Sequence, residues 1–249
     1  MFTLPTEFDP GELDSAYPPG IEKHFWTVAR GKIIAAHLRK LPSQGGRIME
    51  IGCGRGLVVS DLRSRGLDCY GLELAPTPVP EALAPFVSTG TDARDATESV
   101  RLAVRTILLL DVIEHLPDPV GFLSGILASY PRAEHLLITV PARQELWSNY
   151  DEFYRHHRRY DTQMLGETFR QAHCRPEWIG YAFHLLYPAM RFAKARGRTT
   201  KLKAPTGMAA VLHAVLAQAL FLESLILPRG IYGTSVLGLA TIERTGARG

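Results

Sequence analysis

Arg47 to Gly56 reads RIMEIGCGRG, a short apolar run followed by glycines at every second position. Ile48-Met49-Glu50-Ile51 has the length and composition of a strand buried in a parallel sheet. Gly52, Gly54 and Gly56 permit a tight turn and a close approach of backbone to ligand, because no Cβ stands in the way. Leu57 to Arg65 suits a helix, with Leu57, Val58 and Leu62 apolar and Ser60, Asp61, Arg63 and Ser64 polar. In the dinucleotide form of such a loop the third glycine falls three positions after the second, and here Leu57 holds that position. Glu50 at the loop would repel a pyrophosphate and attract a sulfonium with its ammonium. The charge pattern therefore favours S-adenosylmethionine over NAD, with a ligand-free turn as the alternative.

Leu67 to Leu74, LDCYGLEL, is a second short apolar strand, and Glu73 lies near the ~20-residue offset at which a carboxylate meets ribose hydroxyls. A solvated strand-end glutamate is the competing reading. Phe86 to Thr89 follows as a third strand, and Asp92 just beyond it either reaches an adenine amine or is solvated. Thr106 to Leu110, TILLL, is a fourth strand that runs into DVIEHLPDP at Asp111 to Pro119.

With these motifs in this order the chain resembles the class I S-adenosylmethionine-dependent methyltransferases, in particular the group whose fourth strand ends in D-V-x-E-H-x-x-D-P. That group includes ubiquinone-pathway O-methyltransferases. The resemblance runs from about Arg47 to Val140, and more loosely through HFWTVAR at His24 to Arg30, HHRRYD at His156 to Asp161 and GTSVLGLA at Gly233 to Ala240. It implies that Glu50, Gly52, Cys53, Gly54 and Gly56 line the methionine and ribose side, and that Glu73 and Leu74 hold the ribose. Asp92 and Ala93 would flank the adenine, and Asp111 and Val112 would lie beneath the sulfonium. Trp26 and Arg30 would close over the cofactor, the arginine reaching its carboxylate. Cys53 reads as a small filler, not a nucleophile.

The strand and helix alternation implies a Rossmann-like, doubly wound α/β fold with its ligand at the carboxyl ends of the strands. A helix is expected over Ile21 to Leu41, further helices over Val120 to Ser129 and Thr162 to Ala172, and strands over His135 to Val140, Glu177 to Phe183 and Ser235 to Glu243. The expected sheet has seven mostly parallel strands with the seventh antiparallel, and a helical insertion between strands six and seven. The whole chain, 1–249, reads as one methyltransferase domain: an N-terminal helical segment at 1–45, a core at 46–185 and 231–245, and a helical cap at 186–230.

Composition fits a globular protein whose formal net charge is only +3 over 249 residues. The chain lacks aromatics interleaved with its cations, and its fourth-strand motif differs from the Asn/Asp-Pro-Pro-aromatic box of DNA amino-methylating enzymes, so no nucleic-acid partner is expected. Cys53, Cys69 and Cys174 lack metal-ligand spacing and an even pairing, which suggests free thiols in a reducing compartment. The opening MFTLPTEFDPGELD is acidic and resembles no signal peptide, so a cytoplasmic location is expected. Met208 to Leu227 is long and apolar enough to test as a membrane span. His213, Gln218 and Glu223 weigh against spanning, leaving a lid over the substrate pocket or a peripheral membrane contact through 186–230. The preceding run Arg191, Lys194, Arg196, Arg198, Lys201 and Lys203 would seat on anionic headgroups, meet an anionic lipid-linked substrate or be a solvated linker.

Methyl transfer from a sulfonium is an in-line displacement that mainly requires positioning. A hydroxyl acceptor also loses a proton, a task for histidine near neutral pH. His115, His156 and His157 are the candidate bases, with His115 alternatively a packing or capping residue. Adjacent side chains diverge, so at most one of His156 and His157 faces the pocket, and a metal site made from both is disfavoured. No metal is expected, although Asp151 and Glu152 lie nearby. Arg158, Arg159 and Tyr160 either orient an acidic substrate or pair with Asp151, Glu152 and Asp161. The sequence thus suggests O-methylation of a small or lipid-like metabolite. N- or C-methylation, or a non-catalytic cofactor-binding subunit at a membrane, are the alternatives.

Overall fold

A computed structural model describes residues 17–195 and 205–244. The acidic opening and the cations Arg196, Arg198, Lys201 and Lys203 lie outside the described residues. Seven strands form one sheet: β1 (Arg47–Ile51), β2 (Cys69–Glu73), β3 (Val87–Thr89), β4 (Val104–Leu110), β5 (His135–Pro141), β6 (Cys174–Ala182) and β7 (Ser235–Ile242). Their order is β3-β2-β1-β4-β5-β7-β6, and β7 runs antiparallel to both β5 and β6 while the β3 to β5 neighbours pair in parallel. The expected doubly wound sheet is present, and the strand order reverses between β1 and β4. A crevice opens at such a switch point, beyond the carboxyl ends of the strands.

Alternation along each central strand divides the core between the two faces of the sheet. Met49, Ile51, Ile107 and Leu109 join one apolar cluster, with Leu123, Ile126 and Phe169 from the helices α4 (Pro119–Ser129) and α6 (Thr162–Gln171). Ile48, Leu108 and Leu110 join the other, with Ile34 and Leu38 of α1 (Phe25–Leu38) and Val59 and Leu62 of α2 (Leu57–Ser64). Short helices α3 (Glu98–Ala103) and α5 (Asn149–Phe153) complete the connections.

Several boundaries differ from the sequence reading. α1 starts at Phe25, not Ile21, because His24 is extended and its Nδ1 accepts the Trp26 N–H; Ile21–Lys23 is a separate 3₁₀ turn. Burial, followed by the neighbouring His213, lowers the His24 pKa to about 4, which keeps the ring neutral for this acceptor role. β6 begins at Cys174, three residues before the expected start, and an irregularity between Pro176 and Trp178 accommodates the proline. Between β6 and β7 stand α7 (Leu186–Ala195) and α8 (Met208–Ile226), where a helical insertion was expected. α8 packs along α1 and the 3₁₀ turn.

Candidate active site

The loop after β1 turns through Gly52, Gly54 and Gly56 at φ 78°, 54° and 76°, a region that side-chain-bearing residues seldom enter. Space is equally restrictive. A Cβ on Gly52 would stand 2.8 Å from Val112 Cγ2, and one on Gly54 would collide with the phenol of Tyr17. Glu73, at the end of β2, accepts the Gly54 N–H at 2.8 Å and the Ala75 N–H at 2.9 Å, which fixes its carboxylate at the loop. Leu74 beside it is exposed.

Glu50 points to the same end of the sheet and is buried. Its Oε2 has no hydrogen-bond partner among the described residues. Burial pushes its pKa up to about 8; Arg30 opposes that rise, while Glu73 and Asp111 add to it. A buried carboxylate left incomplete at the mouth of a backbone cradle calls for a cationic group. Cys53 is buried, with its Sγ against Gly71, and burial raises its thiol pKa far above the ordinary value. It fills space, as expected.

Asp111 follows β4 in a left-handed conformation, φ 56°, which Asp tolerates better than most residues. Its Oδ2 lies 2.9 Å from Arg30 Nη2, and its Oδ1 accepts from Thr139 Oγ1 at 3.3 Å. The Arg30 guanidinium stacks on Trp26, 4.7 Å from the ring centroid, so α1 brings both residues over the carboxyl end of β4. Phe183, Ser235 and Leu237 complete a cleft there. Arg30 is thus tied to Asp111, while its Nε has no hydrogen-bond partner among the described residues. Asp92 is the site residue most committed elsewhere: it accepts from both the backbone and the guanidinium of Arg94, which lowers its pKa. Ala93 is buried, and its carbonyl accepts from Tyr130 Oη at 2.7 Å.

Past β5 the chain folds back so that His156 meets the 3₁₀ turn Ile113–His115. The His115 and His156 rings are 4.6 Å apart, edge to face. His156 Nδ1 lies 2.9 Å from Asp151 Oδ1, and Asp151 also pairs with Arg159 at 2.7 and 3.0 Å and accepts the Ser148 N–H at 2.8 Å. Burial alone would raise the Asp151 pKa, but bonds from His156 and Arg159 hold it down at about 2. His115 is buried, and desolvation followed by His156 lowers its pKa to about 4 although a backbone bond with Tyr154 opposes the shift. Glu114 is fully buried, neither carboxyl oxygen has a hydrogen-bond partner among the described residues, and burial with the Asp111 charge pushes its pKa well up. His157 does not join this group: its side chain is exposed, and only its backbone N–H reaches the Glu114 carbonyl.

Glu114, His115 and His156 bring one donor atom each within 4.8 Å of one another, the one group among the described residues with the composition of a metal site. Burial disfavours the charged forms of both Glu114 and His115, so the cluster is a dry group of proton-bearing side chains.

One contributor escaped the sequence reading, and another was read only in part. Tyr17 seats its phenol on Gly54, and its carbonyl is 3.5 Å from Arg55 Nη1; the only signal was an aromatic residue before the Pro18-Pro19-Gly20 turn. Asp151 was read as a charge near the histidines and as one alternative partner for the Arg158-Arg159-Tyr160 run; that it joins Arg159 to His156 depends on how the loop after β5 closes.

Residues 25–176 match the family model for a methyltransferase domain. The chain belongs to this methyltransferase family. Its motifs place it among the class I S-adenosylmethionine-dependent members, in agreement with the resemblance read from Glu50, Glu73 and Asp111 to Pro119. Over 91 residues it is 33% identical to a ubiquinone biosynthesis O-methyltransferase of Cereibacter sphaeroides, a match covering 34% of this methyltransferase and 37% of the relative. A protein of the same name from Aliivibrio fischeri is 25% identical over 84 residues, covering 31% and 36%. The chain therefore spans little more than a third of the length of the curated relatives it matches. Among solved structures, a Haemonchus contortus phosphoethanolamine N-methyltransferase 2 with S-adenosylhomocysteine superposes with TM-score 0.55 at 13% identity, covering 96% of this chain and 59% of that one. The plantazolicin methyltransferase BpumL superposes with TM-score 0.52 at 13% identity, covering 94% and 88%. These two likenesses establish the fold.

Proposed function

We propose that this methyltransferase transfers a methyl group from S-adenosylmethionine to an oxygen of a small or lipid-like metabolite, and that residues 1–249 act as one domain in doing so. When bound, the cofactor supplies an electrophilic methyl on a cationic sulfur. The unpartnered Glu50 oxygen and the glycine cradle fit such a group. Glu50, Gly52, Gly54 and Gly56 would hold its methionine and ribose side, with Glu73 and Leu74 at the ribose and Asp92 and Ala93 near the adenine. Asp111 and Val112 would stand at the sulfonium, and Trp26 with the Arg30 Nε would close over the carboxylate.

The observation that carries the oxygen reading is the Asp151–His156 pair. An alcohol or phenol loses its proton as the new O–C bond forms and the C–S bond breaks. Asp151 engages Nδ1 of His156 and leaves the other ring nitrogen to take that proton. A base held in one orientation by a buried carboxylate is the arrangement a poorly acidic nucleophile needs. Neutral His115 beside it provides a second acceptor. The names of the curated relatives agree with an oxygen acceptor.

Thermal shift with S-adenosylmethionine, followed by S-adenosylhomocysteine release over a panel of hydroxylated, amine and carbon-acid metabolites, tests this reading. We expect stabilisation of the wild type, none of Gly54→Val, and turnover on hydroxyl substrates. An unshifted wild type would overturn the cofactor assignment, and turnover only on amines or carbon acids would overturn the oxygen acceptor.

A further inference from the structure

The helix α8 is apolar on two sides: Ala217 and Leu220 are buried in the core, and a second apolar face is left outward. Its apolar residues Met208, Leu212, Val215, Leu222 and Ile226 recur along one face and are exposed by 85, 67, 63, 44 and 75%. Its polar residues turn to the protein instead. His213 Nδ1 accepts the Phe25 N–H, Glu223 accepts the Leu185 N–H, and Gln218 at the edge is held by Lys32 Nζ. A contiguous apolar face of this kind marks a surface that something covers.

Charge indicates what covers it. Between Tyr187 and Lys203 the sequence holds six cations and no acid, of which Arg191 and Lys194 are described and exposed on α7. Past the carboxyl end of α8, Lys40 and Arg229 border a concavity with His37 and Trp178 that also includes Leu225 and Leu227. Burial, together with the charges of Lys40 and Arg229, lowers the His37 pKa to about 4. A purely apolar partner surface would leave these cations unmatched. An anionic bilayer instead offers acyl chains to the leucines and headgroups to the cations.

We propose that the outer face of α8, with the flanking cations of α7 and Arg229, docks this methyltransferase on an anionic lipid bilayer. The helix lies in the plane of the interface. It does not cross the membrane, because its inner face is bonded to α1 and to Leu185. The inference stands on the surface alone and holds whatever the methyl acceptor is.

Flotation with phosphatidylglycerol/phosphatidylcholine vesicles tests it. The wild type should float with the mixed vesicles, not with pure phosphatidylcholine, and should detach between about 0.1 M and about 1 M NaCl, as the Debye length falls from about 10 to about 3 Å. The triple variant Leu212→Ser/Val215→Ser/Ile226→Ser and the double variant Arg191→Glu/Arg229→Glu should each bind at least about tenfold more weakly. Both should retain the wild-type thermal response to S-adenosylmethionine, since none of these residues lines the cofactor cleft. Wild-type protein that stays in the aqueous fraction, equal flotation with neutral vesicles, or a dimer in light scattering that the triple variant dissolves would each overturn the proposal.

Discussion

Asp151 and Glu50 are both buried carboxylates, and the protein completes them in opposite ways. Asp151, after β5, is saturated: Arg159 supplies two donors, His156 one and Ser148 its backbone N–H, so the acid stays ionised with a pKa of about 2. Glu50, inside β1, keeps an oxygen with no partner and a pKa near 8. A saturated carboxylate in a dry interior is a fixed piece of the scaffold that orients its neighbours. An incomplete one is a vacancy for charge, and a cationic ligand is what it lacks. On the proposed function the difference would divide the crevice: the sulfonium at the β1 loop, and the acceptor's proton after β5.

The largest effect that would test this division is at His156. His156→Asn keeps a side chain of similar reach but removes the base. We expect kcat on a hydroxyl acceptor to fall by about 10²- to 10⁴-fold while the cofactor dissociation constant changes less than about twofold. A fall in cofactor affinity with unchanged kcat would reverse the assignment of the two ends. The exposed His157→Asn should leave both parameters near wild type, so the pair separates the two histidines that sequence spacing alone could not.

Asp151→Asn comes next. The variant leaves the buried Arg159 guanidinium without its counter-charge, and urea unfolding should show a loss of about 3–5 kcal/mol. Because the Asp151 pKa lies below its unfolded value, its contribution is present above about pH 4 and disappears as pH falls through about 2. The difference between wild type and variant should therefore narrow in acid. Arg159→Met tests the same network from the other side and should be the milder change, because Asp151 keeps His156 and Ser148.

What could be read in the sequence follows from the range of the forces involved. The β1 strand, its glycines and the apolar runs of β2, β4 and β5 are local patterns that a parallel sheet requires, and each appears within a few residues of its expected place. The inward turn of only one of His156 and His157 is also local, since neighbouring side chains diverge. α3 has only six residues, too few for a helical period to show. Arg30 pairs with Asp111, 81 positions along the chain, a contact that no pattern within α1 encodes. Tyr17 on Gly54 and Asp151 between His156 and Arg159 are likewise products of chain closure. For α8 the apolar composition was evident, but composition alone does not reveal that Leu212, Leu222 and Leu225 face outward while Leu220, His213 and Glu223 face inward.

The most specific effect belongs to Glu50. Its pKa in the folded protein lies above the ordinary carboxylate value, so the native state binds a proton that the unfolded chain releases between about pH 4.5 and about pH 8. The ligand-free protein should lose stability across that window as pH rises, and Glu50→Gln should remove this slope. A sulfonium and ammonium beside Glu50 favour its ionised form, so cofactor binding near pH 7 should release a proton and tighten by at most about tenfold per unit up to pH 8. S-adenosylhomocysteine lacks the sulfonium charge and should show a shallower dependence. Calorimetry in buffers of different ionisation enthalpy reads the proton directly. Zero proton release by the wild type, or the same release by Glu50→Gln, would mean that the orphaned oxygen does not face the cation, and the contrast between Glu50 and Asp151 would then be one of packing, not of function.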